Sequence, residues 1–274
     1  MTDIPEAQNR ARSAGRGWQI GIGVVALALT GLWLALTPGG LLGKADAIGY
    51  AVCHRIDLRS FHLGERALPL CARCTGMYLG ALVSGFYYQL RRPRAAGHPP
   101  RAILMALGLC AAVWALDGLN SFATAVPGLP SLYQPLNPLR LLTGSLIGVG
   151  LMTLIMPAFN QLAWHEPHSE PILGTWGELG GLLALVAGID LLILTENPLL
   201  LYPLALLSSL GVLVLLTLAY SLISLQVLRK VGQARRWVDL WPALLMSASL
   251  ALLQIGVLDL LRFILTGTWS GFQL

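Results

Sequence analysis

The sequence predicts an all-α polytopic membrane protein, a bundle of about seven helices crossing a bilayer. Three observations carry this. The 274-residue chain is 55% hydrophobic and only 11% charged, where soluble domains carry about 25% charged residues; its mean hydropathy is +0.68. Several apolar runs exceed the roughly 18–20 residues that a helix needs to span the hydrocarbon layer. The alternation of a membrane barrel strand is absent, and backbone in lipid must otherwise satisfy its hydrogen bonds within helices.

Apolar runs between turn signals place helices at 18–36, 74–90, 102–119, 139–158, 174–195, 200–226 and 239–265. The first run, Trp18 to Leu36, follows Arg10, Arg12 and Arg16 as in a signal peptide, and "ADA" at 45–47 resembles a cleavage site. The run is longer than a signal-peptide core, so it is read as a retained helix. The fifth and sixth helices meet at "TENPLLLYP" (195–203), either a tight turn or a re-entrant segment. Small residues repeat every fourth position at Gly76, Gly80 and Ser84, at Gly144 and Gly148, and at Gly177 and Gly181, a spacing that lets helix backbones approach closely.

Charge sets the expected orientation. The net charge is +5, but the basic residues fall in short clusters between apolar runs without aromatic interleaving, which does not suggest a nucleic-acid partner. Arg10, Arg12 and Arg16, "RRPRAAGHPPR" at 91–101 and "RKVGQARR" at 229–236 fall on one side of a seven-helix bundle, eleven basic residues in all. The 37–73 segment opposes them with five: Lys44, Arg55, Arg59, Arg66 and Arg73. The positive-inside rule then puts the N-terminus in the cytoplasm and the C-terminus outside, in a multi-pass protein of the plasma membrane. In that orientation Asp117, Asn137, Arg140, Asp190, Asp259 and Arg262 all lie at the outer end, where costly intramembrane polar groups pair or line a cavity.

The densest chemistry is "CHRIDLRSFHLGERALPLCARCTG", residues 53–76, with three of the four cysteines, two of the five histidines and four arginines. Cys71-Ala-Arg-Cys74 is a CxxC pair, and Cys53 precedes it by 18 positions. Both sulfurs of such a pair reach one tetrahedral ion; Cys53 supplies a third thiolate, and His54 or His62 a fourth ligand to zinc. His54 directly follows Cys53, which strains joint ligation, and His62 is freer. The same atoms suit redox chemistry without a metal. CxxC at a helix N-terminus, with Arg73 between the cysteines, favours thiolate, and Cys53 is placed to exchange with it as a membrane thiol-disulfide oxidoreductase or to form a stapling disulfide. In a third, non-enzymatic reading the segment only stabilises a structural or lipid-binding subunit of a membrane complex. Cys110, mid-helix among apolar residues, reads as core.

"CHR…RSF…G…LPLCARCTGMYLG", followed by "DGLN" and "NPLRLLTG", resembles an uncharacterised family of predicted bacterial and archaeal membrane proteins, a domain of unknown function. The resemblance covers roughly residues 48–158. By it, Cys53, His54, Arg59, Cys71, Arg73, Cys74, Thr75, Gly76, Asp117, Asn137, Arg140, Thr143 and Gly144 match signature positions. It implies a membrane location and no particular reaction. His62 is outside the pattern, which strengthens the claim of His54 as fourth ligand. The chain then divides into a cytoplasmic tail (1–17), a first transmembrane helix and linker (18–47), a family-like core with the cysteine loop and helices two to four (48–158), and a three-helix extension (159–274).

Asp117 ends the third helix, where the helix dipole disfavours a carboxylate unless it is paired; Arg73 and Arg140 are its expected partners. In a catalytic version, zinc holds an activated water with Asp117 as base and Arg73 or Arg140 holding an anionic group. Arg55, Arg59, Asn137 and Thr143 join them as candidates for an anion pocket at helix N-termini, suited to an anionic lipid or small molecule. Asp259 and Arg262, three apart, are spaced to pair on one helix. "WHEPHSEP" at 164–171 lacks the spacing of a zincin, and "CHRI" is not the CxxCH of haem attachment. The sequence carries no phosphate-binding glycine loop, dinucleotide fingerprint or Ser-His-Asp signature.

Overall fold

A computed structural model describes residues 4–124, 126 and 128–271, with side chains described from residue 17 onward. The elements run α1 (Ile4–Leu36), α2 (Leu41–Val52), β1 (His62–Leu63), β2 (Arg66–Ala67), α3 (Ala72–Arg91), β3 (Ala95–Gly97), α4 (Arg101–Ala123), α5 (Asn137–Ala163), β4 (His168–Pro171), α6 (Trp176–Leu194), α7 (Pro198–Val227) and α8 (Trp241–Thr266). Seven long helices match the seven expected, with most ends within a few residues. The exception is α1, which begins at Ile4 rather than near residue 18; the side chains of Arg10, Arg12 and Arg16 lie outside the described set. An eighth helix, α2, falls in the stretch read as a linker. It has 12 residues, too few to span, yet it buries Ala45, Ala47, Ile48 and Tyr50 against the bundle.

Six segments are long and apolar enough to cross a membrane: Gly17–Leu36, α4, α5, α6, α7 and Trp237–Thr266. The seventh long helix, α3, has 20 residues, about 30 Å at 1.5 Å per residue, but carries three Gly, three Tyr and charged or polar residues at both ends. It is packed against α5, α7 and α6, so most of its surface meets protein, with Phe86 and Leu90 left exposed near its end.

α3 and α5 run parallel in close contact. A Cβ at Gly144 would stand 2.1 Å from the Arg73 carbonyl oxygen, and one at Gly76 2.2 Å from that of Leu141. Gly80 and Gly148 meet Ser145 and Met77 backbone in the same way. With no hydrophobic drive between helices in lipid, such contact is what small residues provide. The third expected seam is not one: Gly177 and Gly181 are exposed, and a Cβ at Gly181 would meet only the Tyr87 hydroxyl at 3.7 Å. That stripe faces outward from α6.

The two ends of the bundle differ. One gathers the end of α3, the start of α4, the end of α5 and the 229–236 loop: β3 pairs with β4, His165 N donates to Ala234 O, and the Arg94 guanidinium lies 4.4 Å from the Trp164 ring centre. The other gathers α2, the start of α3, the end of α4, the start of α5 and the end of α8, and carries the cysteines. "TENPLLLYP" is a tight turn, with Asn197 capping α7 by accepting from Leu199 N at 3.0 Å.

Candidate metal centre

α2 ends by delivering Cys53. Its N–H still bonds Gly49 O at 2.8 Å while its backbone turns extended at φ −135°. A Cβ at Gly49 would lie 1.9 Å from Pro69 O, so the glycine lets the 69–71 segment press against α2 and bring Cys71 alongside Cys53. Cys71 is the N-cap of α3, and Cys74 follows one turn on. The sulfurs of Cys53, Cys71 and Cys74 all lie within 4.8 Å of one another. All three are free thiols, as is Cys110, half-buried on α4.

The surroundings favour thiolate at Cys53 and the protonated thiol at Cys71. Cys53 Sγ accepts the backbone N–H of Arg55 and of Cys71, both at 3.4 Å, and hydrogen bonds to the charged form lower a pKa. Hydrogen bonds from the Cys71 and then the Cys74 thiols hold Cys53 well below the usual thiol range. The Cys71 thiol, its proton engaged with Cys53, is pushed up to about 11. His54 Nδ1 lies 3.9 Å from Cys53 Sγ; burial, the largest influence, lowers its pKa, and Arg59, Arg73 and Arg262 act in the same direction.

The three sulfurs fit a zinc ion. His54 approaches Cys53 alone, and its ring nitrogens do not lie within 4.8 Å of all three, so its ring must turn toward them to serve as a fourth ligand. Tetrahedral ligands at about 2.3 Å for sulfur and 2.0–2.1 Å for nitrogen stand about 3.6–3.8 Å apart, so the cluster needs only a small contraction. His62 does not join it: its Nε2 lies 3.1 Å from Asp57 Oδ1, on the partly exposed hairpin of β1 and β2.

Beside the cysteines is a buried polar network. Asp117, 2% exposed, is ion-paired with Arg73. It accepts from Tyr133 Oη at 2.6 Å and from Thr143 Oγ1 at 3.4 Å. Arg73 also donates to Ser121 Oγ at 3.0 Å, as Arg140 does at 3.4 Å. Arg140 reaches Asn137 Oδ1 at 2.9 Å, and Asn137 donates to the Leu58 and Ser60 carbonyls of the cysteine loop. Arg59 donates to Ser121 O at 2.9 Å. Of the two expected partners, Arg73 takes the carboxylate directly, and Arg140 joins through Ser121 and Asn137. Arg55 stands apart from Arg59, Asn137 and Thr143, paired with Asp46 at 2.8 Å and donating to Trp269 O at 3.3 Å.

The last helix also serves this end, through residues the sequence reading did not assign to the loop. Arg262 Nη1 donates to Tyr50 O at 2.7 Å and Cys53 O at 2.6 Å, and Nη2 to His54 O at 3.2 Å; its guanidinium lies 4.1 Å from the Tyr50 ring centre. Tyr50 Oη donates to Thr268 O at 2.7 Å, and a Cβ at Gly271 would stand 1.8 Å from Arg55 O, so the chain beyond α8 lies directly on the loop. Asp259 accepts from Trp33 Nε1 at 3.4 Å, and Asp190 from Ser145 at 2.8 Å.

Fold and site define a multi-pass helical membrane protein with a buried three-cysteine cluster at one end. The family described as predicted membrane protein, DUF2085, matches residues 53–154. An uncharacterized protein of Methanothermobacter thermautotrophicus is 33% identical over 103 residues, 38% of this chain and 83% of that protein. An uncharacterized protein of Methanocaldococcus jannaschii is 27% identical over 120 residues, 44% of this chain and 71% of that protein. The chain belongs to this family of predicted membrane proteins. No solved structure matches it.

Proposed function

We propose that Cys53, Cys71 and Cys74, with His54 as fourth ligand, hold one zinc ion that fixes the cysteine loop to the bundle at the outer face of the plasma membrane. The observation that carries this reading is the mutual approach of three sulfurs: a disulfide accounts for two of them, a tetrahedral ion for all three. Thiolate and imidazole donors select zinc over hard cations. Three thiolates around a divalent ion leave one net negative charge, and Arg59, Arg73 and Arg262 are close enough to act electrostatically on His54 and to offset it. When bound, zinc supplies a redox-inert cross-link and a Lewis acid.

The protein's own residues support a structural centre over a hydrolytic one. A general base must reach substrate, and Asp117 is 2% exposed, its charge paired with Arg73 and its oxygens accepting from Tyr133 and Thr143. Arg73, Arg140, Asn137 and Thr143 tie α3, α4, α5 and the loop together around it. A second reading, ligand recognition at the centre, rests on a cavity of about 420 Å³ beside Cys53 and His54, walled by Arg262, Thr266 and leucines of α8. That lining suits an anionic lipid headgroup. The test is elemental analysis of the detergent-purified full chain with thiols counted on the same sample. About one zinc per chain, lost in Cys71→Ser and in Cys74→Ser, is expected; no metal, with two thiols masked until reductant is added, would instead favour disulfide chemistry.

A further inference from the structure

A second cleft, unconnected to the metal reading, lies between α1 and α8. It encloses about 430 Å³, a volume in the range of small-molecule sites. Its walls are hydrocarbon and aromatic, with Leu29, Trp33, Phe263 and Trp269 among them, and Gly256 leaves one side open. One wall carries the carboxyl group of Asp259, 3% exposed. Oδ2 receives the Trp33 indole N–H, whereas Oδ1 has no hydrogen-bond partner among the described residues. A buried acceptor in an apolar medium costs free energy until a donor reaches it.

We propose that this cleft binds a membrane-soluble alcohol, its hydrocarbon body lying along α1 and α8 and its hydroxyl donating to Asp259 Oδ1. The apolar walls require the body, and the unpartnered oxygen requires the donor. A hydroxyl suits the site better than an ammonium because it supplies the donor without carrying a full charge into apolar walls. Trp33 and Trp269 line the cleft and report on its occupancy by fluorescence.

The test uses the full chain in phosphatidylcholine nanodiscs, with thermal unfolding followed by tryptophan fluorescence. The probes are 1-dodecanol, its methyl ether, and dodecane. Dodecanol is expected to raise the midpoint saturably, with the ether, which lacks the donor, half-saturating at about tenfold higher concentration. Asp259→Leu should abolish the preference for alcohol over ether. Gly256→Leu gives a second route: a Cβ there meets only Trp33 Cδ1, at 3.8 Å, so the larger side chain fills the cleft without displacing backbone and should remove the dodecanol response altogether. Equal responses to alcohol and ether, a preference that survives Asp259→Leu, or a dodecanol response unchanged in Gly256→Leu would each overturn the proposal; equal responses would mean that water satisfies Oδ1.

Discussion

Arg262 donates to the carbonyl oxygen of Cys53 at 2.6 Å across a sequence separation of 209 residues. With its bonds to Tyr50 and His54, it holds the backbone of both proposed ligands 53 and 54 from the outside. Partners in this position orient metal ligands, and their loss lowers metal affinity about 10–100-fold. Arg262→Ala should therefore release zinc to a chromogenic chelator that much more readily than the unmodified protein. Arg262→Lys should recover only part of the loss, since one ammonium does not reproduce a planar fork. Unchanged release in Arg262→Ala would separate the last helix from the centre.

Asp117 and Arg73 form a buried ion pair completed by Tyr133 and Thr143. Removing one partner strands the other's charge, at a cost of about 3–5 kcal/mol. Asp117→Ala should lower the thermal midpoint in detergent sharply, and the double variant Asp117→Ala/Arg73→Leu should regain part of it. A double variant as damaged as the sum of both singles would show that the two residues do not act as a pair.

Gly144 and Gly150 share a helix but not an environment. A Cβ at Gly144 collides with the Arg73 backbone, while one at Gly150 meets nothing within 4 Å. Gly144→Ala should force α3 and α5 apart, at or above the roughly 1–3 kcal/mol typical of overpacking, and Gly150→Ala should be neutral or slightly stabilising. Thermal midpoints of the two variants measured side by side check this.

The orientation has its own test. His98 is exposed at the basic end, and Leu132, 86% exposed, at the cysteine end. In a Cys110→Ser background, Leu132→Cys should react with a membrane-impermeant maleimide on intact cells, and His98→Cys only after permeabilisation. The reverse pattern would put the centre in the cytoplasm.

Much of this was legible in the sequence because lipid leaves the backbone so few options: the long apolar runs became helices nearly where expected. The three cysteines were legible by spacing, and Arg73 as the partner of Asp117 by its place at a helix start. α2 was not, since 12 residues without a strong period read as linker once the helix before it was assigned. His62 looked the freer fourth ligand, but nothing in the spacing marked the β1–β2 hairpin that turns it to Asp57. Tyr133 and Ser121 carried no local signal. Arg262 did carry one, a cation in the last turns of an apolar helix. Its partners are backbone carbonyls 208 to 212 residues away, which no side-chain pattern records.

X-ray absorption at the zinc edge on the purified full chain tests the central claim most directly. Three sulfur ligands near 2.3 Å and one nitrogen ligand near 2.0–2.1 Å, with the nitrogen lost in His54→Ala and kept in His62→Ala, is the result expected. A shell of oxygen and nitrogen alone, or sulfur ligation that survives Cys53→Ser unchanged, would contradict it.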